Sequence, residues 1–364
     1  MPHQQTSNVE VELSRDIGLI TALSIGVGTM IAAGIFTLSG LAVRNVGSGA
    51  IISFLLAALV ATFTALTYCE FTSIYPRSGE GYLYARKTFP APIAWFVGWC
   101  LLLGYTSSCA FYIASLSTYF QEFVYHFPLQ SISGVLTLIA LTMLNMKGTK
   151  ESGAFQVVVT GGKVGLLCWF IAGGVAVFST ERIVEELSTD LYALSSTAGM
   201  VFITFFGFSA IAAAAGEVIN PVKNVPRAIF LSMGIVTILY TAVIIVLVTT
   251  RLTEYDEAAM GKAAEMLLGP IGGMVIVGGA IFSMIAASNA SIMAGSRVAM
   301  TMSNHRHLPT WVGKVHPRTR TPAVALGITG SLIFLFAISL PLEDLAHYAD
   351  AVLLLALITV NAAL

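Results

Sequence analysis

The 364-residue chain is 56% hydrophobic and only 10% charged, with a mean hydropathy of +0.84 and a formal net charge of −1. Soluble domains carry about a quarter charged residues, so most of this chain is excluded from water. No basic tract is present, which argues against a nucleic-acid partner. Residues 1–16 are polar and mixed in charge, with no small-residue cleavage site after a short apolar core. They read as a cytoplasmic tail, not a signal peptide. Ten apolar spans follow, at 17–42, 49–74, 91–119, 132–146, 154–178, 197–215, 227–249, 270–300, 322–340 and 346–364. A helix needs about 20 apolar residues to cross the hydrocarbon core. The fourth span is short, and the eighth is long enough to tilt or to extend beyond the bilayer. None shows the alternation of a barrel strand, so the class is an all-α integral membrane protein. Residues 179–196 form an extracellular connection between two groups of five spans, 17–178 and 197–364.

Most lysines and arginines fall on the side of the N-terminus. Arg15, Arg77, Arg86, Lys87, Lys147, Lys150, Lys223, Arg227, Arg297, Arg306, Lys314, Arg318 and Arg320 lie there, against Arg44, Arg182, Arg251 and Lys262 opposite, with Lys163 inside a span. The positive-inside rule then places the N-terminus in the cytoplasm, and the expectation is a multi-pass protein of the plasma membrane. The four cysteines (Cys69, Cys100, Cys109, Cys168) all lie in spans and read as buried thiols rather than a disulfide framework. Asn289-Ala290-Ser291 matches a glycosylation acceptor, but mid-span it is out of reach of that chemistry.

The first span contains Gly26, Gly28, Ala32, Ala33, Gly34 and Gly40 within fifteen positions, a weak helix with exposed backbone. The sixth reads Phe202-Ile-Thr-Phe-Phe-Gly207-Phe-Ser-Ala and carries a thinner break signal at Gly207, with the polar Thr204 and Ser209. Taken alone, such glycines serve close helix packing equally well. Their positions carry more weight, because the first and sixth spans correspond if two five-helix halves are inverted repeats. Interrupted helices at matching positions point to a transporter site. There, N–H groups at a half-helix start attract a carboxylate and orphan carbonyls attract an ammonium, so a zwitterionic amino acid suits the break.

Lys163, in Thr160-Gly-Gly-Lys163-Val-Gly165, puts a charge inside the fifth span. An ammonium in hydrocarbon costs at least about 2.5–3.5 kcal/mol, so it faces the protein interior or water. It either snorkels to the cytoplasmic surface, about 13 Å away, or donates hydrogen bonds to carbonyls freed by unwinding of the first span. The flanking Gly161, Gly162 and Gly165 suggest close approach by another helix. In the second reading the protonation of Lys163 reports on the state of the site. Elsewhere, Glu70 and Glu217 read as interfacial or structural. Asp350 reads as solvated at the outer start of the tenth span. Tyr68, Tyr82, Tyr84, Trp95 and Trp99 fit an aromatic belt, whereas Tyr105 is deep enough to line a cavity. Ser283, Ser288 and Asn289 form a polar stripe that serves helix contacts and ligand binding equally well.

The first span from Gly26 to Phe36 resembles the first helix of the amino acid–polyamine–organocation permeases, in particular their cationic amino acid transporter-like branch. Tyr68-Cys-Glu70 with Tyr75-Pro-Arg-Ser-Gly79-Glu-Gly81-Tyr82 agrees, as do Phe205-Phe-Gly207-Phe208, Gly216-Glu217-Val-Ile-Asn220-Pro221 and Val225-Pro226-Arg227. Ser296-Arg297, Leu308-Pro309, Val315-His316-Pro317 and Arg320-Thr321-Pro322 complete the pattern. The resemblance implies a LeuT-like inverted five-helix repeat with helices 1 and 6 broken, working by alternating access without a cofactor. By position, Ala33 and Gly34 would offer N–H groups to a substrate carboxylate, and carbonyls of Met30, Ile203 and Phe206, beside Gly207, would take its ammonium. Lys163 falls where proton-coupled members carry a lysine in place of a sodium site. Departures are Ala32-Ala33-Gly34 where relatives often carry a hydroxyl residue, the neutral Ser209 after Gly207-Phe208, and the missing last two family helices.

The expectation is therefore a secondary active amino acid transporter, a symporter coupling small neutral or apolar substrates to protons. The alternatives are an exchanger or facilitator, and an inactive truncated permease or substrate sensor. A channel would need a continuous polar path. A membrane enzyme would need clustered acids, histidines or nucleophiles inside the spans, and the sequence presents neither.

Overall fold

The computed structural model describes residues 15–75, 80–126, 131–147, 153–185, 187–188, 190–317, 319 and 321–364. The first fourteen residues of the predicted tail, Pro76 to Gly79 of the second motif, Lys150, Arg318 and Arg320 lie outside them. The described residues are helical, with only two isolated bridges, Ile17 with Val218 and Gly47 with Leu187.

The first span is α1 (Leu19–Met30), a π-helical turn (Gly34–Leu38) and α2 (Ser39–Val46). The second is α3 (Ala50–Ile74), followed by the short α4 (Glu80–Thr88) and then the third span, α5 (Ala91–Phe123). The fourth and fifth are α6 (Ile132–Lys147) and α7 (Gly153–Gly174), and α8 (Thr180–Glu185) lies in the connection to the second half. The sixth comprises α9 (Leu191–Val201), a 3₁₀ segment (Phe202–Phe205) and α10 (Phe208–Ala213). Four helices finish the chain: α11 (Pro221–Thr250), α12 (Ala259–Asn304), α13 (Ala323–Ser339) and α14 (Leu342–Asn361). Among the described residues, seven of the ten predicted spans are long and apolar enough to cross a membrane, α6 and α13 are shorter apolar helices, and α14, which carries Glu343, Asp344 and Asp350, belongs to neither group. The chain is thus an integral, multi-pass helical membrane protein.

Burial sorts the helices. In α5, 83% of the apolar window is buried, against 22% in α7, so α5 is the central post and α7 lies on the rim. Along α5 pack α12, α14 and α13, while α1 packs on α11 and α7, and α9 on α3 and α14. The start of α14 is tied to the end of α2 by an ion pair between Glu343 and Arg44. Ile17, before α1, exchanges backbone hydrogen bonds with Glu217 and Ile219 at the end of the sixth span.

Several expectations change. The eighth span does start at Pro270, because Gly269 (φ 75°, ψ 177°) leaves helical geometry there, but a further short helix from Ala259 runs into that kink. The tenth begins at Leu342, with Pro341 at its N-cap, rather than at 346. Tyr68, Tyr82 and Tyr84 are buried in the packed interior and are not belt residues, whereas Trp95 is exposed at the surface. Their rings find aromatic partners there: Tyr68 packs edge-on against Tyr84 and Phe208, and Phe71 stacks on Tyr84. Three cysteines are buried as expected, but Cys168 is exposed on the rim helix α7.

Candidate functional site

Both expected breaks are present, and they meet. In the first span, Ile31 leaves helical geometry (φ −72°, ψ 82°), and regular helix resumes only beyond Ala33. In the sixth, the chain tightens to 3₁₀ turns through Phe202–Phe205 and crosses Gly207 into α10. A side chain at Gly34 would strike Thr204, and one at Gly207 would meet Met30, with its N and Cγ both 2.7 Å from the added carbon. The two glycines therefore let one interrupted helix lie directly on the other. Met30, Ala33, Gly34, Ile203, Phe206 and Gly207 are all buried at this crossing, which brings the sequence-predicted substrate residues together. Around them, Tyr105 faces Phe206 at 5.9 Å between ring centres, and Phe206 lies edge-on to Phe208. Tyr105 thus lies in the packed wall of the crossing.

The freed carbonyls have donors. Lys163 Nζ donates to Gly28 O at 2.8 Å and to Ile31 O at 3.1 Å. The amine therefore points inward to the broken span and does not snorkel to a surface. One turn away, Thr160 Oγ1 donates to Ser24 O at 2.9 Å, so two side chains of α7 hold α1. Ser283 Oγ of α12 also donates to Ile31 O, at 2.7 Å, and Tyr240 OH of α11 donates to Met30 O at 2.6 Å. On the far side of the break, Tyr119 OH donates to Phe36 O at 2.6 Å. The predicted ammonium acceptors are thus already engaged. Met30 O takes the Tyr240 hydroxyl and the Ala32 amide, and Ile203 O and Phe206 O take the amides of Phe206 and Ser209. Each carbonyl has two lone pairs, so a single such bond leaves acceptor capacity at Ile203 and Phe206.

The polar stripe of α12 divides by role. Ser283 serves the break, whereas Asn289 Oδ1 accepts from Asn145 Nδ2 of α6 at 2.7 Å, a helix-to-helix bond. The glycines beside Lys163 do not admit a neighbouring helix: a carbon added at Gly161, Gly162 or Gly165 meets no atom within 4 Å. They leave α7 bare instead. A cavity of about 260 Å³ lies there, lined by Lys163 with Phe36, Gly162, Leu166, Gly279 and Phe282.

Sequence reasoning missed Asp350. It is 3% exposed, not solvated, and lies two turns inside α14 beside the sixth span. Asp350 and Lys163 are the buried charged side chains among the described residues. The missed signal was the prolyl N-cap at Pro341, which moves the start of α14 outward and carries Asp350 deeper into the bundle.

Two interrupted helices crossing at glycines, with a buried lysine on the freed carbonyls of one, form the kind of arrangement that membrane transporters place at a binding site. The family model for amino acid permeases matches residues 17–364, and the chain belongs to that family, within the amino acid–polyamine–organocation superfamily. A branched-chain amino acid permease of Bacillus subtilis is 29% identical, the match covering 97% of this chain and 81% of the relative. A methylthioribose transporter of the same organism is 29% identical over 93% of this chain and 78% of its own length. A vacuolar cationic amino acid transporter of Arabidopsis thaliana is 28% identical over 89% of this chain and 59% of its own.

Proposed function

We propose that the chain is a secondary active transporter that moves small neutral or apolar amino acids with a proton, by alternating access around the crossing of the first and sixth spans. The reading takes the two five-span halves as LeuT-like inverted repeats, with the N-terminus in the cytoplasm of a cell whose plasma membrane holds the protein. The observation that carries it is the pair of hydrogen bonds from buried Lys163 to Gly28 O and Ile31 O.

A substrate carboxylate would take the amides of Ala33 and Gly34 at the start of the outer half-helix, where the helix dipole favours an anion. Its ammonium would take carbonyls of Ile203 and Phe206 at the second break, and that of Met30 at the first once the Tyr240 hydroxyl lets go. The apolar walls of Ile203, Phe206 and Tyr105 suit an apolar side chain, in line with the branched-chain permease among the relatives. Protonated, Lys163 makes charge-assisted bonds to the inner half-helix. Such bonds are worth about 1.5–3 kcal/mol, against about 0.5–1.5 kcal/mol for neutral donors. Loss of the proton weakens the hold of α7 on α1, so the freedom of α1 to swing follows the proton. That is the link between proton and substrate.

Labelled amino acids, leucine among them, taken up into proteoliposomes with and without an inward proton gradient test this. The gradient should stimulate uptake by the wild type, and Lys163→Ala should abolish that stimulation. Uptake indifferent to both would identify an exchanger or facilitator and leave Lys163 a structural role. No uptake by a well-folded preparation would identify an inactive permease or a sensor.

A further inference from the structure

Lys163 accounts for one buried charge, and Asp350 is the other. Asp350 lies eight residues beyond Leu342, about 12 Å into α14. Lys163 lies ten residues beyond Gly153, about 15 Å into α7. The two helices enter from opposite faces, because α14 begins beside the end of α2 while α7 holds the inner end of α1. The parallel extends to what each helix touches. Helix α7, fifth of the first half, packs on the broken first span, and α14, fifth of the second half, packs on α9 and the 3₁₀ segment of the broken sixth. Under an inverted repeat these positions are equivalent. The chain thus carries a buried base against one break and a buried acid against the other.

The surroundings of Asp350 offer its charge no partner. Neither carboxyl oxygen makes a well-formed hydrogen bond, the Ile203 amide acting on it only as a weak backbone donor, and no lysine, arginine or histidine pairs with it among the described residues. Within electrostatic reach on neighbouring elements are the Tyr112 phenol of α5 and the Ile203 amide of the 3₁₀ segment. Beyond Tyr112 lie Cys109 on the same helix and Tyr240 on α11, and none of these is a cation at neutral pH. From α3 and α4 the ionisable groups Glu70, Arg86 and Lys87 sit toward the other end of the bundle, and α9 offers only the exposed Tyr192. On α14 itself, His347 is exposed one turn outward. No group of three or more acids, histidines or cysteines gathers there for a metal among the described residues. Calcium or magnesium takes about six or more oxygen ligands, and a zinc site takes about four protein ligands or three with a water.

We propose that Asp350 is a second proton-binding group of the transport cycle, acting on the sixth span from α14 as Lys163 acts on the first from α7. This rests on the transport reading above. A carboxylate left alone in such a site is strongly disfavoured, and one proton removes that penalty without requiring space for a larger cation. In this arrangement a carboxyl oxygen holds a proton taken from the medium on the α14 entry side. When the outer half of the sixth span moves and water reaches Asp350, the O–H bond breaks and the proton returns to water. The two buried groups then exchange protons on opposite sides of the crossing, one for each half of an alternating cycle.

The test uses the full chain in liposomes. Infrared difference spectra are recorded as pH is stepped with no amino acid present, for the wild type, Asp350→Asn and Lys163→Ala. A protonated-carboxyl stretching band should rise and fall reversibly in the wild type, persist in Lys163→Ala and vanish in Asp350→Asn. In uptake assays the Asn variant, which holds the neutral form permanently, should lose the dependence of leucine uptake on the pH of the α14 entry side. Asp350→Glu should regain both signals, and monodisperse elution of each variant controls for folding. A titrating band unchanged in Asp350→Asn overturns the proposal. So does a leucine affinity that falls equally at every pH, since that result makes Asp350 a substrate-ammonium ligand. If the wild type takes up no amino acid while the band still maps to Asp350, the proton site stands and the transport reading fails.

Discussion

Gly34 and Thr204 show how a single hydrogen in place of a methyl group sets the geometry of the crossing. A carbon added at Gly34 runs into Thr204 Cγ2 and stands 3.0 Å from Thr204 Cβ, and the surroundings are fully packed. Overpacking of this kind costs about 1–3 kcal/mol. Gly34→Ala should therefore lower the thermal midpoint of the solubilised protein, and Thr204→Ala in the same chain should recover part of the loss. A double-mutant cycle in which the two effects simply add would show that the crossing relaxes elsewhere. Residues of this kind were legible because glycine in a membrane span has few uses, and Lys163 because a charge in an apolar run has fewer. Asp350 was not. Glu343 and Asp344 interrupt the apolar pattern just before it, so the run reads as beginning near residue 346 and leaves the acid at its edge. The bonding of Lys163 was legible only as one of two alternatives, since the direction of a flexible side chain depends on which carbonyls a neighbouring helix frees.

At the scale of the helix, two kinds of glycine are distinguished by backbone and surroundings rather than by sequence. Gly269 holds φ 75° and ψ 177°, a region that other residues enter at a cost of about 1–3 kcal/mol, and the kink in α12 depends on it. Gly161 is helical with open space where a side chain would stand. Gly269→Ala should thus destabilise the protein by about 1–3 kcal/mol, through strain alone since no atom crowds the position. Gly161→Ala should be neutral or stabilising by up to about 1 kcal/mol from helix propensity. Chemical denaturation in mixed micelles separates them, and equal effects from the two would contradict this division. The same contrast explains where the sequence misled. Three glycines beside Lys163 read as a packing face by composition, yet α7 lies on the rim and presents them outward. By contrast, Pro270 read as a helix start because proline favours that position, and the non-helical backbone of Gly269 before it makes it one, with the unforeseen helix from Ala259 meeting it at the kink.

At the scale of the whole molecule, each face of the bundle has a clasp. On one, Arg44 at the end of α2 pairs with Glu343 at the start of α14. On the other, α4 is fastened to the segment after α12, where Tyr82 OH lies 3.1 Å from His307 Nδ1 and the Tyr82 ring meets the rings of both His305 and His307. Burial and the charge of Arg86 hold the Tyr82 and His307 pair in a definite state. Desolvation raises the Tyr82 phenol above its ordinary value, with Arg86 opposing, so the phenol keeps its proton and acts as donor. Desolvation, then the charges of Arg86 and His305, lower His307 below its ordinary value, so Nδ1 is free to accept. For a histidine lowered in the folded state, the unfolded chain binds more protons at mildly acid pH, and stability rises with pH across that window. The contribution of the clasp is therefore complete above the unfolded histidine value near 6.5 and is lost as pH falls toward the lowered folded value. Lowering pH from about 7.5 to about 5.5 should weaken the hold of α4 and increase amide exchange there. His307→Gln should remove that pH dependence while Arg44→Gln, at the other clasp, should leave it intact. If exchange in α4 is as pH-sensitive in His307→Gln as in the wild type, the clasp is not what holds that helix.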